Sequence, residues 1–226
     1  MKPAVVLLAA GSGSRFGHET NKVWLPLSGK TIICRTISNA HQAFPNARLL
    51  LVINPDDETL AREILQRELP NLNIEITYGG DTRHGSEFQA LTYLAADIDA
   101  GNIDVILIHD GARPLATPSL YKKIAEVAFE KGGAIPTTTI NPVEIDINHE
   151  TKIVRVQTPQ GFRAKELLHA YKEAEKDGFT GTDTGACIEK YYPTMKAYAV
   201  EAEVANLKIT YAEELQLAAQ LLAQSK

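Results

Sequence analysis

Residues 8–22 read L-A-A-G-S-G-S-R-F-G-H-E-T-N-K, a glycine-rich turn that follows an apolar run and carries two cations, Arg15 and Lys22. Gly11, Gly13 and Gly17 let such a turn double back tightly and bring its N–H groups against a ligand, and the two cations match the charge of phosphate oxygens. That chemistry suits a nucleoside triphosphate. Two other glycine motifs fail on spacing. A dinucleotide fingerprint built on Gly11 and Gly13 needs a third glycine at position 16, which is Phe16, and a P-loop ending at Gly29-Lys30-Thr31 needs one at position 24, which is Trp24. A plain strand-to-helix turn that binds nothing is the competing reading.

Two more segments carry similar chemistry: G-G-D-T-R-H-G-S over residues 79–86 and H-D-G-A-R-P over residues 109–114. One aspartate at a strand end is often only a helix cap. Three such segments with phosphate- or metal-compatible side chains point instead to a shared site. Cys34 and Cys187 form no C-x-x-C pair, so neither a disulfide framework nor a zinc site has support, and both read as core or surface thiols.

Something must hold these segments together, and the pattern of the chain supplies it. Apolar runs of strand length alternate with stretches of helical period, as in a doubly wound α/β fold with a mostly parallel sheet. Residues 4–8, 49–53, 74–78, 105–108 and 134–138 read as strands. Helices are expected after a Thr31 cap, after Pro55-Asp56, through Phe88, Leu91 and Leu94, over about 118–131, and near the C-terminus over 211–222, where Leu215, Ala218, Leu221 and Leu222 share a face. In such sheets the ligand sits beyond the carboxyl ends of the strands. All three segments follow strands and reach that edge. The chain has 226 residues, 44% of them hydrophobic, and no linker-like run, which predicts one large domain over 1–226. A net charge of −5 argues against extended nucleic-acid or anionic membrane binding, so any basic site must be local. With no leader-like stretch and no long apolar run, a cytoplasmic location is expected.

The sequence resembles the 2-C-methyl-D-erythritol 4-phosphate cytidylyltransferase family. The motifs that carry the resemblance are A-A-G-S-G-S-R-F-G, N-K-V-W-L-P-L-S-G-K-T-I, G-G-D-T-R-H-G-S, H-D-G-A-R-P, T-P-Q-G-F, T-D-T-G-A and N-L-K-I-T, in family order from residue 9 to about 210. The resemblance implies a Rossmann-like nucleotidyltransferase with a small β-arm, acting on CTP and a polyol phosphate with Mg²⁺ or another divalent cation, as a homodimer. Ala9, Ala10, Gly11, Gly13, Arg15 and Lys22 would hold the nucleotide and its triphosphate. Gly80, Asp81 and Ser86 would read the base. Asp110, Arg113, Thr158 and Lys208 would face the acceptor, with Arg15, Lys22 and Lys208 as the catalytic cations and Asp110 as the metal ligand.

The chain departs from the family pattern at several points. Asn21 precedes Lys22 where the family usually has Pro, and Ala205 replaces an Asp before Asn206-Leu207-Lys208. Residues 136–158 lack the family's Asp-Thr pair and have a shorter arm, over 139–157. Arg155 is the candidate substitute for the arm's acceptor-binding cation, against the plainer reading of a solvated strand arginine. Trp24 reads as packing rather than base stacking, Asp183 first as a helix cap, and His84 and His109 as local backbone partners. The leading acceptor is 2-C-methyl-D-erythritol 4-phosphate. Ribitol 5-phosphate or a related polyol phosphate is the enzymatic rival, and a catalytically silent nucleotide-binding module the non-enzymatic one.

Overall fold

The computed structural model describes residues 1–11, 21–139 and 154–224. Gly13, Arg15 and residues 140–153 of the expected arm lie outside them. The first strand, β1 (Pro3–Leu8), already shows the layering: Val5 and Leu7 join an apolar cluster on one face of the sheet, Ala4 and Val6 the cluster on the other. An unbroken apolar run is what a strand buried on both faces requires.

A short 3₁₀ turn (Lys22–Trp24) and a hairpin of β2 (Pro26–Leu27) and β3 (Lys30–Thr31) lead into α1 (Ile32–Ala43). Thr31 caps α1 as expected, its hydroxyl accepting from the Cys34 N–H. Then follow β4 (Arg48–Ile53), a 3₁₀ turn at Pro55–Asp57, α2 (Glu58–Glu68), β5 (Glu75–Tyr78), α3 (Arg83–Asp99), β6 (Val105–Asp110), α4 (Pro118–Lys131) and β7 (Gly133–Thr139). The remainder comprises β8 (Val154–Val156), β9 (Gln160–Arg163), α5 (Ala164–Asp177), α6 (Thr184–Tyr191), β10 (Ala197–Glu201) and α7 (Ala212–Gln224).

The main sheet has eight strands in the order β10-β7-β9-β6-β1-β4-β5, with β8 paired to β7. β6, β1, β4 and β5 run parallel, whereas β8 and β9 are antiparallel to their neighbours. Side chains of α1, α2 and α4 cover one face, and those of α3, α5 and α6 the other. The chain moves outward from β1 through β4 to β5 and then returns to the opposite side of β1 with β6. That reversal opens a crevice at the carboxyl ends of β1 and β6, where open α/β sheets bind ligands.

Several features differ from the sequence reading, the helix α5 and the β2–β3 hairpin among them. α3 begins earlier, at Arg83, because Thr82 caps it with a hydroxyl that accepts from the Gly85 N–H at 2.9 Å. Arg83 to Ser86 therefore lie on a helix and not in a loop. β9 was not foreseen: its four residues show no period, yet it inserts antiparallel between β6 and β7. Gly161 makes that fit, since a Cβ there would come within 2.8 Å of Leu107 Cδ2 and Ile124 Cγ2. The parallel edge strand β10 was also not foreseen. Both cysteines are buried and unbridged. On α7, only Ala218 is fully buried, in a small cluster with Leu27, Ile32 and Ile209 against which Leu215 and Leu222 pack half-covered. Among the described residues no helix is long and apolar enough to cross a membrane.

Candidate active site

The crevice holds a cavity of about 730 Å³. The carboxyl end of β1 supplies Ala9, Ala10 and Gly11 to its wall, Lys22 and Val23 come from the following turn, Gly79 to Thr82 from the turn after β5, Arg83 and Ser86 from the start of α3, Asp110 from β6, and Lys208 from the segment before α7. The structure thus gathers all three glycine-rich segments and a lysine from near the C-terminus around one space. Of the sequence-predicted residues, Gly13 and Arg15 lie outside the described residues.

The first segment is tied down by Asn21. Its amide donates to the Ala9 carbonyl at 2.6 Å while its side-chain oxygen accepts from the Val23 N–H at 3.4 Å. Asn21 thereby fixes the far end of the loop to its start and sets Lys22 at the head of a short helical turn. Trp24 is buried in the core, consistent with packing. The second segment meets the first through Gly79: a Cβ there would fall 2.4 Å from Ala10 Cβ and 2.6 Å from Ser86 Oγ. Ser86 donates to the Thr82 carbonyl at 2.9 Å and lies 3.3 Å from the Gly80 carbonyl. Its lone pairs are left for a ligand donor. Gly79→Ala is expected to push the two segments apart, costing about 1–3 kcal/mol of stability as overpacking does and raising the KM of whatever substrate the cavity holds. Calorimetric unfolding and steady-state kinetics together check this.

Asp110 is the electrostatic hub. It is 5% exposed and pairs with Arg83, with Arg113 through Nε at 3.2 Å and with Lys208 through Nζ at 3.1 Å. Burial alone would raise its pKa, but Arg83, Lys208 and Arg113 outweigh burial and hold the carboxyl well below the usual carboxylate range. Its N–H donates to Thr158 Oγ1 at 3.0 Å, and Thr158 Oγ1 sits 3.0 Å from His109 Nδ1. Thr158 and Arg113 stand behind the cavity and not on its wall. Arg113 uses Nη1 to hold the Asn206 carbonyl at 2.9 Å. Asn206 in turn donates to Gln157 Oε1 at 2.8 Å and to the Thr158 carbonyl at 2.9 Å, which clamps the segment bearing Lys208. Arg155 lies exposed on β8, opposite Thr138, and its charge presses on that of Arg113. It thus faces solvent on the side of the site where Arg113 lies.

Burial drives the His109 imidazole down to about 3, with the Asp110 carboxylate resisting and Arg113 assisting. His109 is therefore neutral in the fold and protonated only on unfolding as the pH falls below its ordinary value near 6.5. The unfolded state then binds the extra proton, so stability falls between about pH 6.5 and pH 3, by up to about 1.4 kcal/mol per pH unit for one such group. Urea midpoints measured across that range should show a shallower slope in His109→Gln.

Sequence reasoning missed Arg83 and Glu87 as part of the site. Arg83 Nε lies 3.0 Å from Glu87 Oε1 on the next turn of α3. Glu87 also accepts from Thr184 Oγ1 at 2.9 Å and from the Tyr171 hydroxyl. Burial pushes the Glu87 carboxyl up, while Arg83, Tyr171 and Thr184 pull it back. Burial prevails and leaves the carboxyl above its usual range, with Thr184 and Tyr171 donating to its oxygens and Arg83 beside it as an ion pair. An Arg and Glu four apart would have been a signal had the helix start been placed at Thr82.

As for a divalent cation, no group of three or more His, Cys, Asp or Glu side chains that could hold one occurs among the described residues. The reading of Asp110 as a metal ligand meets a carboxylate already paired with three cations. The donor set does not build a protein cage for a metal.

The family model for IspD, 2-C-methyl-D-erythritol 4-phosphate cytidylyltransferase, matches residues 4–224. A Synechococcus sp. protein named 2-C-methyl-D-erythritol 4-phosphate cytidylyltransferase is 34% identical over 97% of both chains. One of the same name from Geobacillus kaustophilus is 30% identical over 99% of this chain and 98% of its own. The crystal structure of 4-diphosphocytidyl-2C-methyl-D-erythritol synthase from Anaerococcus prevotii superposes with a TM-score of 0.80 at 25% identity, covering 98% of this chain and 96% of that one. By the match of its whole length and by the site that its three strand-end segments build, the chain belongs to the 2-C-methyl-D-erythritol 4-phosphate cytidylyltransferase family.

Proposed function

We propose that this chain transfers CMP from CTP to 2-C-methyl-D-erythritol 4-phosphate and releases pyrophosphate. The observation that carries the reading is the cavity itself, where glycine-rich backbone and Lys22 line the same wall as the Asp110–Lys208 pair. A nucleotide can lie along Ala9 to Gly11 with its base toward Gly80, Asp81 and Ser86. The acceptor phosphate then meets Lys208. An oxygen of the acceptor phosphate attacks the α-phosphorus, the new P–O bond forms as the bond to the β-phosphate breaks, and pyrophosphate leaves with the electron pair.

Both reactants are anions, so the main obstacle is their repulsion, which Lys22, Lys208 and Arg15 counter while orienting the groups. No protein base is needed, because a phosphomonoester with a second pKa of about 6 is already largely ionised near neutrality. A divalent cation such as Mg²⁺ would ride on the triphosphate oxygens and supply further neutralisation there. A cytoplasmic homodimer, its arm over 139–157 reaching the partner copy, is the assembly this reading expects.

Pyrophosphate release tests the reading. It should appear with CTP and 2-C-methyl-D-erythritol 4-phosphate and fall away with ATP, GTP or UTP. Faster release with ribitol 5-phosphate would reassign the acceptor, and no release with any pair would remove the enzymatic reading.

A further inference from the structure

Asp110 shares its two oxygens among Arg83, Arg113 and Lys208. These cations are not equivalent. Lys208 has a side chain 39% exposed on the cavity wall, so it can turn from Asp110 to an incoming phosphate. Arg113 is held from behind by the Asn206 carbonyl. Arg83 also lines the cavity, but its guanidinium spans two carboxylates, Asp110 in front and Glu87 behind. Glu87 is 1% exposed, does not itself line the cavity and is fixed by Thr184 and Tyr171. A carboxylate so deeply buried is costly unless paired. Its one cationic partner among the described contacts is the arginine that reaches Asp110.

We propose that Glu87 is a positioning residue for the acceptor site: it pins Arg83 so that Asp110 stays oriented and charge-compensated once Lys208 has turned to the acceptor phosphate. Without that pin, Asp110 would draw Lys208 back and present its own charge to the phosphate. The planar fork of an arginine holds two carboxylates in fixed positions, whereas the compact ammonium of a lysine on its flexible stem does not. The inference rests on the acceptor site described above.

The test is calorimetric titration of full-length protein saturated with an α,β-methylene analogue of CTP, using 2-C-methyl-D-erythritol 4-phosphate as titrant, with binding of the analogue measured separately. Arg83→Lys keeps the charge and removes the bridge; it should weaken acceptor binding about tenfold or more. Nucleotide binding should change clearly less than acceptor binding, because Lys22, Gly80, Asp81 and Ser86 all keep their own groups. Glu87→Gln should weaken the acceptor in the same selective way. In the double variant the loss should be no larger than in Arg83→Lys alone, since Glu87 acts only through Arg83. If Glu87→Gln binds the acceptor as wild type does, or if the two losses multiply, the pin is refuted while the functional reading stands. Failure of the wild-type protein to bind any polyol phosphate would overturn both.

Discussion

Lys22→Ala should lower kcat by about 10²-fold or more, the loss expected when one donor aimed at developing phosphate charge is removed. The lysine stands on the cavity wall at the head of a short helical turn. Asn21 fixes that turn to the end of β1, so the cation is delivered by backbone already locked in place. Such preorganisation makes its contribution larger in the pentacoordinate state than in the bound triphosphate, and kcat should fall more than CTP affinity does. Steady-state pyrophosphate release set beside CTP binding separates the two. Turnover unchanged in Lys22→Ala would remove this lysine from the chemistry. The same experiment on Arg15→Ala should give a loss of similar size.

Asp110→Asn is expected to damage the fold as well as the reaction. It keeps the shape and removes the charge, leaving Arg83, Arg113 and Lys208 crowded around a neutral amide. Deleting one partner of a buried pair typically costs about 3–5 kcal/mol. In a chain of this size that corresponds to a fall in Tm on the order of 10 °C. The sign of the pH dependence follows from the depressed carboxyl. Its stabilisation is complete above the ordinary aspartate range near pH 4 and drains away as the pH falls further, toward the lower value it has in the fold. Differential scanning calorimetry at pH 7 and about pH 2.5 should show the gap between wild type and variant narrowing with acid. An equal Tm at pH 7 would mean that the three cations do not depend on Asp110.

Much of this was legible in the residues. The run Val105 to Ile108 announced a strand buried on both faces, and it lies in the middle of the sheet. The placement of Asp110 at its end, beside the glycine turn after β1, followed from the rule that open sheets bind at their carboxyl edge. What stayed hidden depends on distant partners. The resemblance makes Arg113 an acceptor-facing cation, yet its side chain reaches back to the carbonyl of Asn206, which no local pattern reveals. Arg83 and Glu87 were masked by a helix start placed after Ser86, when the Thr82 hydroxyl starts it sooner. β9 gave no signal because Gln160 and Gly161 are buried for fit and not for hydrophobicity, and a short stretch of that kind has no periodicity to detect.

The clamp that carries Lys208 has a bearing on how the enzyme is made. Asn206 is fastened to Gln157 and Thr158, and the Ile209 N–H to the Ala112 carbonyl at 2.9 Å, so the last cation is stitched onto segments translated long before it. A nascent chain emerging from the ribosome can fold its nucleotide-facing strands first, since domains acquire structure from the N-terminal end as they are synthesised. It gains Lys208 only after those strands have been made. Products cut short before residue 206 would carry the earlier walls of the cavity without Lys208 and without the Asn206 and Ile209 contacts that fasten it.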